Sequence, residues 1–331
     1  MFLTDSLGAA AATGLPPAHR YTPTGPPSTV GTDHLRELRA GLRSLYHLDD
    51  AYGGDDVRPL ALRHLRRVRR VINGSAYPPT IGRQLHLLAG ETAEHCGWLY
   101  FDADDQGTAR RYWGEALTAA TMLRDDSLEL LVLASLSMQA SHEGRPRDGY
   151  ELARAAQERA RKYGSPTIQS LLAVREARAL SLMRDEAGAR KRLTNAMHLA
   201  DRACQGRPCP GWAAFHGRTE LDYAQGLLYT ETGHHQAAVT FMRAALAHQD
   251  RTYGRNRALY RLTLARTLVR AGEAEEGAAY AVDSLEHLAE VESGRVTKRL
   301  NEVTALLRTQ DTTAARDAAE ELTSYTHHQG I

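Results

Sequence analysis

Apolar residues recur along this chain at spacings of three and four, the period of a helix face, and seldom at the alternation of a strand. Leu35, Leu38, Leu42 and Leu45 mark the buried stripe of a first amphipathic helix, which opens after Thr32 as its N-cap and ends near Gly53-Gly54. A second helix starts around Asp56, has Leu60, Leu65, Val68 and Ile72 as its buried side, and stops at Asn73-Gly74 ahead of Pro78-Pro79. A third begins near Thr80 and runs towards Asp102. Residues 1–31 carry no such period: Pro16, Pro17, Pro23, Pro26 and Pro27 are scattered among small residues, the composition of a disordered tail.

Beyond residue 89 the pattern repeats. Gly97, Tyr100, Ala109, Trp113 and Ala116 stand at positions 8, 11, 20, 24 and 27 of the tetratricopeptide repeat. Gly226, Tyr229, Gly233, Ala238, Met242 and Ala245 match positions 8, 11, 15, 20, 24 and 27 of a later copy. Weaker copies lie around Gly144, Ala153 and Ala156, around Ala189, Leu193 and Ala196, and around Gly272, Gly277 and Ala281. The turns between paired helices fall at 104, 144, 184, 233 and 272, in steps of 40, 40, 49 and 39 residues. A step near 40 lengthens the minimal pair by roughly 9 Å of helix. The long step coincides with the breaker-rich stretch Gln205 to Gly211. The pattern predicts that a small residue at position 8 meets a small residue at position 20, with positions 11 and 24 filling the space beside them. The expected fold is all-α, a right-handed tetratricopeptide-like solenoid of antiparallel helix pairs. Its expected divisions are N-terminal helices over 32–89, five repeats over 90–292, a capping pair over 293–325 and a tail over 326–331.

Composition agrees with helices. Ala fills 51 of 331 positions, Ile only four, and Arg supplies 38 of the 41 basic residues. No run approaches a membrane-spanning length, and the start of the chain lacks a basic segment before its apolar residues, so a cytoplasmic protein with no membrane partner is expected. Three cysteines, Cys96, Cys204 and Cys209, make no disulfide framework. A formal net charge of +1 argues against bulk nucleic-acid binding.

The order Gly53-Gly54-Asp55-Asp56, Val71-Ile72, Ala93 to Leu99 with Asp102, and Ala109 to Ala116 resembles the C-terminal helical region of actinobacterial, streptomycete-type helix-turn-helix/tetratricopeptide regulators. Pro210-Gly211-Trp212, Arg255 to Ala265 and Ser293-Gly294-Arg295 extend the resemblance, which covers about residues 34–310. It implies a tetratricopeptide-like fold and a regulatory role. Those regulators usually carry an N-terminal DNA-binding domain, and here 31 low-complexity residues precede the first helix.

In such a solenoid the first helix of each pair lines the concave face. Transferring the inward offsets selects Glu94, Trp98, Phe101, Met138, His142, Arg178, Glu220, Tyr223, Arg266 and Arg270, with Arg175 adjacent, and also Glu91, Thr230 and Glu231. Aromatic anchors beside arginines suit a peptide, a small acidic signal or a protein partner; against this, Trp98 and Phe101 could pack on the preceding helices and Arg178 could pair with a neighbouring acid. A second feature is the stripe Arg63, Arg66, Arg67 and Arg70 on one helix face. It fits a solvated face pairing with Asp49, Asp50, Asp55 and Asp56, or else an acidic partner or nucleic acid; it lacks interleaved aromatics. Cys204 and Cys209, with His198 and His216 near in sequence, lack a second ligand pair for zinc, and Cys96 beside Gly97 fits a small core position. No phosphate-loop, dinucleotide, nucleophile-elbow or zinc-protease motif occurs. The expectation is a non-enzymatic regulatory or sensor protein with no cofactor and no metal, which binds its ligand in the concave groove and has scope to form a homodimer. The alternative is a DNA-associated transcriptional regulator.

Overall fold

A computed structural model describes residues 29–248, 254–288 and 293–329. It contains helices α1 (Thr32–Tyr52), α2 (Gly54–Gly74), α3 (Pro79–Asp102), α4 (Gln106–Leu123), α5 (Asp126–His142), α6 (Pro146–Tyr163), α7 (Pro166–Leu182) and α8 (Glu186–Asp201). The chain continues through α9 (Arg218–Glu231), α10 (His235–His248), α11 (Gly254–Arg270), α12 (Ala274–Asp283), α13 (Leu285–Leu288), α14 (Gly294–Leu307) and α15 (Thr313–Gln329). The described residues contain no strand, only a single bridge between Thr29 and Ala76. The fold is an all-α solenoid of tetratricopeptide-like helix pairs. No helix among the described residues is long and apolar enough to cross a membrane.

The repeat is legible in the backbone. All five turn positions lie in the left-handed region: Asp104 (φ 64°), Gly144 (74°), Arg184 (67°), Gly233 (82°) and Gly272 (89°). The next residue begins the second helix of the pair, and at Asp105 and Asp185 its carboxylate caps that helix by accepting a backbone N–H, each cap being worth ~1 kcal/mol. Asp125 caps α5 in the same way.

Helix crossing differs from the sequence expectation. Position 8 meets the large residue at position 24, not the small one at 20: a Cβ on Gly97 would stand 2.6 Å from Cδ1 of Trp113, and one on Gly226 would stand 2.7 Å from Cε of Met242. Glycine is needed because the bulky side chain of the second helix lies directly on the first. Trp113 is fully buried there, and Ala109 and Ala238 close the remaining space at 0% exposure.

Several boundaries also move. Gly31, not Thr32, is the N-cap of α1, and no side-chain cap bond forms there. Leu60 is 37% exposed; the inner face of α2 is Val57, Ala61, Leu65 and Val68. Residues 1–28 of the expected tail lie outside the described residues, but Val30 is 2% exposed and donates its N–H to the Ala76 carbonyl. Position 89 falls inside the continuous helix α3, and α15 carries the chain to Gln329, past the expected start of the tail at 326.

Candidate functional site

The first helices of the pairs turn about a common centre. Helices α3, α5, α7, α9 and α11, joined by α1 and α14, surround one cavity of about 1040 Å³, at the upper end of the ~300–1,000 Å³ of ordinary ligand sites. Every groove residue Glu94, Trp98, Phe101, Met138, His142, Arg175, Arg178, Glu220, Tyr223, Arg266 and Arg270 lines it, as do Thr230 and Glu231. Glu91 does not; it faces Arg39 at 3.7 Å.

The lining carries nine Arg and Lys against six Asp and Glu; Arg255, Arg295 and Lys298 among them pair with Asp49, Asp102 and Asp104, which leaves six Arg facing five carboxyls. Arg178 pairs with Glu231, whose other oxygen accepts from Ser181 at 2.8 Å. Arg266 and Arg299 share Glu302 at 2.8 and 3.1 Å. Burial first, and then the neighbouring Arg299 charge, pulls Arg266 down to about 10, with Glu302 only partly opposing. Tyr223 and Tyr260 stack at 3.8 Å, and the Tyr260 hydroxyl donates to Glu220, whose pKa burial raises. Glu94 has no cation beside it. It accepts from Trp113 Nε1 at 3.3 Å and from the Ser135 hydroxyl at 3.0 Å, and burial pushes it up to about 7. Leu131, Met138, Leu171, Val174, Leu227 and Leu259 supply apolar lining.

Four contributions to this cavity have no counterpart in the repeat offsets. Helix α1 supplies Arg43, Tyr46, His47, Asp49 and Asp50; α11 adds Arg255 and Tyr260; α14 adds Arg295, Lys298, Arg299 and Glu302. The fourth is the inserted loop between α8 and α9. Trp212 Nε1 in that loop donates to Ser127 Oγ at 3.0 Å, and Trp212 and Phe215 border the cavity.

The two ends of the solenoid are tied together. Arg255 of α11 donates to Asp49 of α1, and its Nε lies 3.9 Å from Asp102 of α3. Arg295 of α14 donates to Asp102 Oδ1 from Nε at 2.9 Å and Nη2 at 2.6 Å. Both guanidiniums lie over Trp98, at 5.1 and 5.0 Å, and Trp98 Nε1 donates to Asp49 Oδ2 at 2.9 Å. Gly294 abuts α3 so closely that a Cβ on it would stand 2.7 Å from the Ala103 carbonyl. Lys298 and His142 both reach Asp104, at 3.3 and 3.2 Å. Burial pushes Asp102 up, and Arg255 and Arg295 outweigh it, holding the carboxyl below its ordinary value. The 293–325 pair therefore closes the ring as well as ending the chain of helices. Trp98 meets α1 through its bond to Asp49 and also faces the cavity.

The remaining expectations sort simply. Arg63, Arg66, Arg67 and Arg70 are exposed; Arg67 pairs with Glu37 and the neighbouring Arg69 with Glu115, in place of Asp49, which is committed to Arg255. Asp55 has no described side chain. Cys96 is buried, and burial pushes its thiol up to about 12, a small core residue and no nucleophile. Among the described residues no group of three or more His, Cys, Asp or Glu side chains is arranged to hold a metal ion. One buried pair, Ser170 Oγ and His216 Nε2 at 2.9 Å, has the outline of a nucleophile and base. Its polarity is wrong: the serine proton goes to the Ala196 carbonyl at 2.7 Å, so the histidine, held neutral near 3 by burial, donates to Ser170 and cannot take its proton.

These features define a tetratricopeptide-like repeat scaffold wrapped around an interior cavity. No protein-family model matches the chain, and no curated protein matches it in sequence. Among solved structures, a Rap protein complexed with Competence and Sporulation Factor is similar with TM-score 0.53 and 11% identity, over 89% of this chain and 93% of that one. BtubC (BKLC) from P. vanneervenii gives TM-score 0.47 and 17% identity over 70% and 89%. A signal transduction ATPase with numerous domains and a tetratricopeptide repeat sensor, from Pyrococcus horikoshii, gives 0.42 and 12% over 88% of this chain and 41% of that one. At these identities the likeness is one of fold.

Proposed function

We propose that this protein is a non-enzymatic regulatory sensor that takes a peptide or small signal into its interior cavity. The observation that carries the reading is the cavity itself: about 1040 Å³, lined by apolar residues and an excess of cationic ones, inside a ring of helices. A concave, mixed surface of this kind suits a ligand that fills it better than a flat protein epitope. The Rap protein of similar fold is itself seen complexed with Competence and Sporulation Factor, a precedent for ligand uptake by a scaffold of this type. The resemblance to helix-turn-helix/tetratricopeptide regulators supports a regulatory role, and it falls partly on the residues of the tie, Asp102, Arg255, Gly294 and Arg295. Native mass spectrometry of the gently purified protein tests the reading. A retained peptide or small molecule, lost when Leu227→Trp fills the cavity, is the expected result; an empty protein that also recovers no partner in a pull-down would remove its support.

A second reading, a DNA-associated regulator, draws on Arg63, Arg66 and Arg70, which stand exposed along one face of α2. It requires a gel shift that weakens steeply with salt and is lost on Arg66→Glu/Arg67→Glu; no binding at low salt dismisses it.

A further inference from the structure

Arg175 departs from its neighbours on the cavity wall. Arg178 is committed to Glu231, Arg266 and Arg299 to Glu302, and the remaining nearby carboxyl, Glu220, to the hydroxyl of Tyr260. The Nε of Arg175 is cut off from solvent and has no hydrogen-bond acceptor, as is true of the Nε atoms of Arg266 and Arg299, but among the described residues no carboxylate lies within ion-pair distance of Arg175. Burial pulls its pKa below the ordinary arginine value; Glu220 opposes this and Arg295 adds to it. His216, held neutral by burial and then by the Arg175 charge, adds no second positive charge. Arg175 is half-buried with its Nε desolvated, and Glu220 is the one carboxyl acting on it; a guanidinium so placed without an ion pair is costly.

The apolar surface beside it is equally unfinished. Leu171 and Val174 flank Arg175 on the inner face of α7, and Leu227 and Leu259 share the lining. Phe215, on the inserted loop, is 43% exposed where it borders the cavity. The other two exposed large hydrophobics among the described residues, Leu60 and Met122, do not line it.

We propose that the ligand is an amphiphilic anion: one oxyanion group docked on Arg175, flanked by Arg178, Arg266 and Arg299, and an apolar body laid against Val174, Leu227, Leu259 and Phe215. This rests on the cavity being the ligand site. An oxyanion accepts two parallel hydrogen bonds from a guanidinium and supplies the charge the wall lacks. The excess of guanidiniums over carboxylates sets the sign of the ligand, and the lining leucines and Phe215 require that the rest of it be water-averse.

The test uses two fluorescent probes of the same shape, 8-anilinonaphthalene-1-sulfonate and its uncharged analogue N-phenyl-1-naphthylamine. The sulfonate is expected to bind roughly tenfold tighter. Arg175→Met should bring it down to the level of the neutral probe, leave the neutral probe within about twofold, and raise the Tm of the ligand-free protein by removing a half-buried charge without an ion pair. Arg175→Lys should keep part of the preference, as a point charge without the fork. Displacement then separates the sources of the anion. Decanoate acting where decanol does not assigns a lipid-like acid, and N-acetyl tetraleucine acting as the free acid but not as the amide assigns a peptide carboxyl terminus; either supports the proposal. Equal binding of the two probes, or a sulfonate affinity indifferent to Arg175→Met, overturns the anion and leaves the cavity reading intact. If neither probe binds, or both survive Leu227→Trp, the cavity reading falls as well.

Discussion

The tie that closes the ring and the wall that lines the cavity are built from the same chemistry, arginine against carboxylate, and they end in opposite electrostatic states. In the tie, Arg255 is 4% exposed, yet its pKa stands above the ordinary arginine value: burial works against the charge, and Asp49 and Asp102 outweigh it. On the wall, Arg266 is as firmly held by Glu302 but surrounded by Arg299 and Arg270, and burial takes it down to about 10. The tie is compensated within the chain and the wall is not. Paired buried charge holds a structure together, whereas charge left in excess around a void marks a surface that expects something from outside.

The largest test of that contrast is to break the tie. Asp102→Asn keeps an acceptor oxygen for Arg295 but removes the negative charge that Arg255 and Arg295 share, leaving the two guanidiniums with Asp49 as their ion-pair partner. The expected loss is ~3–5 kcal/mol in urea unfolding, with loss of sulfonate-probe binding as the ends of the ring part. Arg175→Met, made in the same background, should move stability in the other direction. If Asp102→Asn costs less than about 1 kcal/mol, in the range of a surface pair, the tie is not what closes the ring.

Acidity separates the two regions more finely, because pairing decides the sign. Asp102, below its ordinary value of 3.8, contributes stability that is present above that pH and lost as pH falls. Glu94, buried without a cation, is raised from 4.5 to about 7. Its folded state binds the proton more tightly than the unfolded chain, so its contribution is full below about 4.5 and is lost as pH rises through about 7, up to ~3 kcal/mol in all. Buried His95 and His216, with pKa values lowered to about 4 and about 3, slope the other way below pH 6.5. The comparison is therefore made between the protein and Glu94→Gln, which keeps an acceptor for Trp113 and Ser135. Unfolding followed from pH 5 to pH 9 should show the native protein losing stability relative to Glu94→Gln across neutrality. Parallel curves would mean that Glu94 is ionised throughout and has a countercharge in the folded state.

How much of this was legible depended on whether the information was local. The five turns were, since each left-handed residue must sit at one place in a short repeat, and Asp104 and Arg184 take that geometry where glycine is absent. The inner face was too: offsets repeated on α3, α5, α7, α9 and α11 place Glu94, Met138, Arg178, Tyr223 and Arg266 on one wall once the helices stack. The small-on-small crossing failed because the pattern lists which residues are small and not which ones touch, and Gly97 is small for Trp113. The tie was out of reach. Its partners are 206 and 193 residues apart, and they meet only because small rotations accumulate over successive repeats. Its local traces, Asp102, Arg255 and Ser293-Gly294-Arg295, belong to the family resemblance and carry no physical signal that they meet.

The smallest effect is expected on the outer face of α2, and it tests whether arginine density by itself means anything in this chain. Arg67 reaches Glu37 at 2.7 Å with both side chains at least half exposed. Such pairs gain little in water and are screened by salt. Arg67→Ala should leave Tm unchanged within error, at low salt as at high, and should not alter binding of either naphthalene probe, in contrast to Arg175→Met. A clear loss of stability from Arg67→Ala would place the stripe in the same class as the tie, and a change in probe affinity would mean that charge is felt across the whole scaffold. Neither follows if what separates structural from receptive arginines here is desolvation: at Arg255 and Arg175 the protein has replaced water around the charge, and at Arg67 water still does most of the compensating.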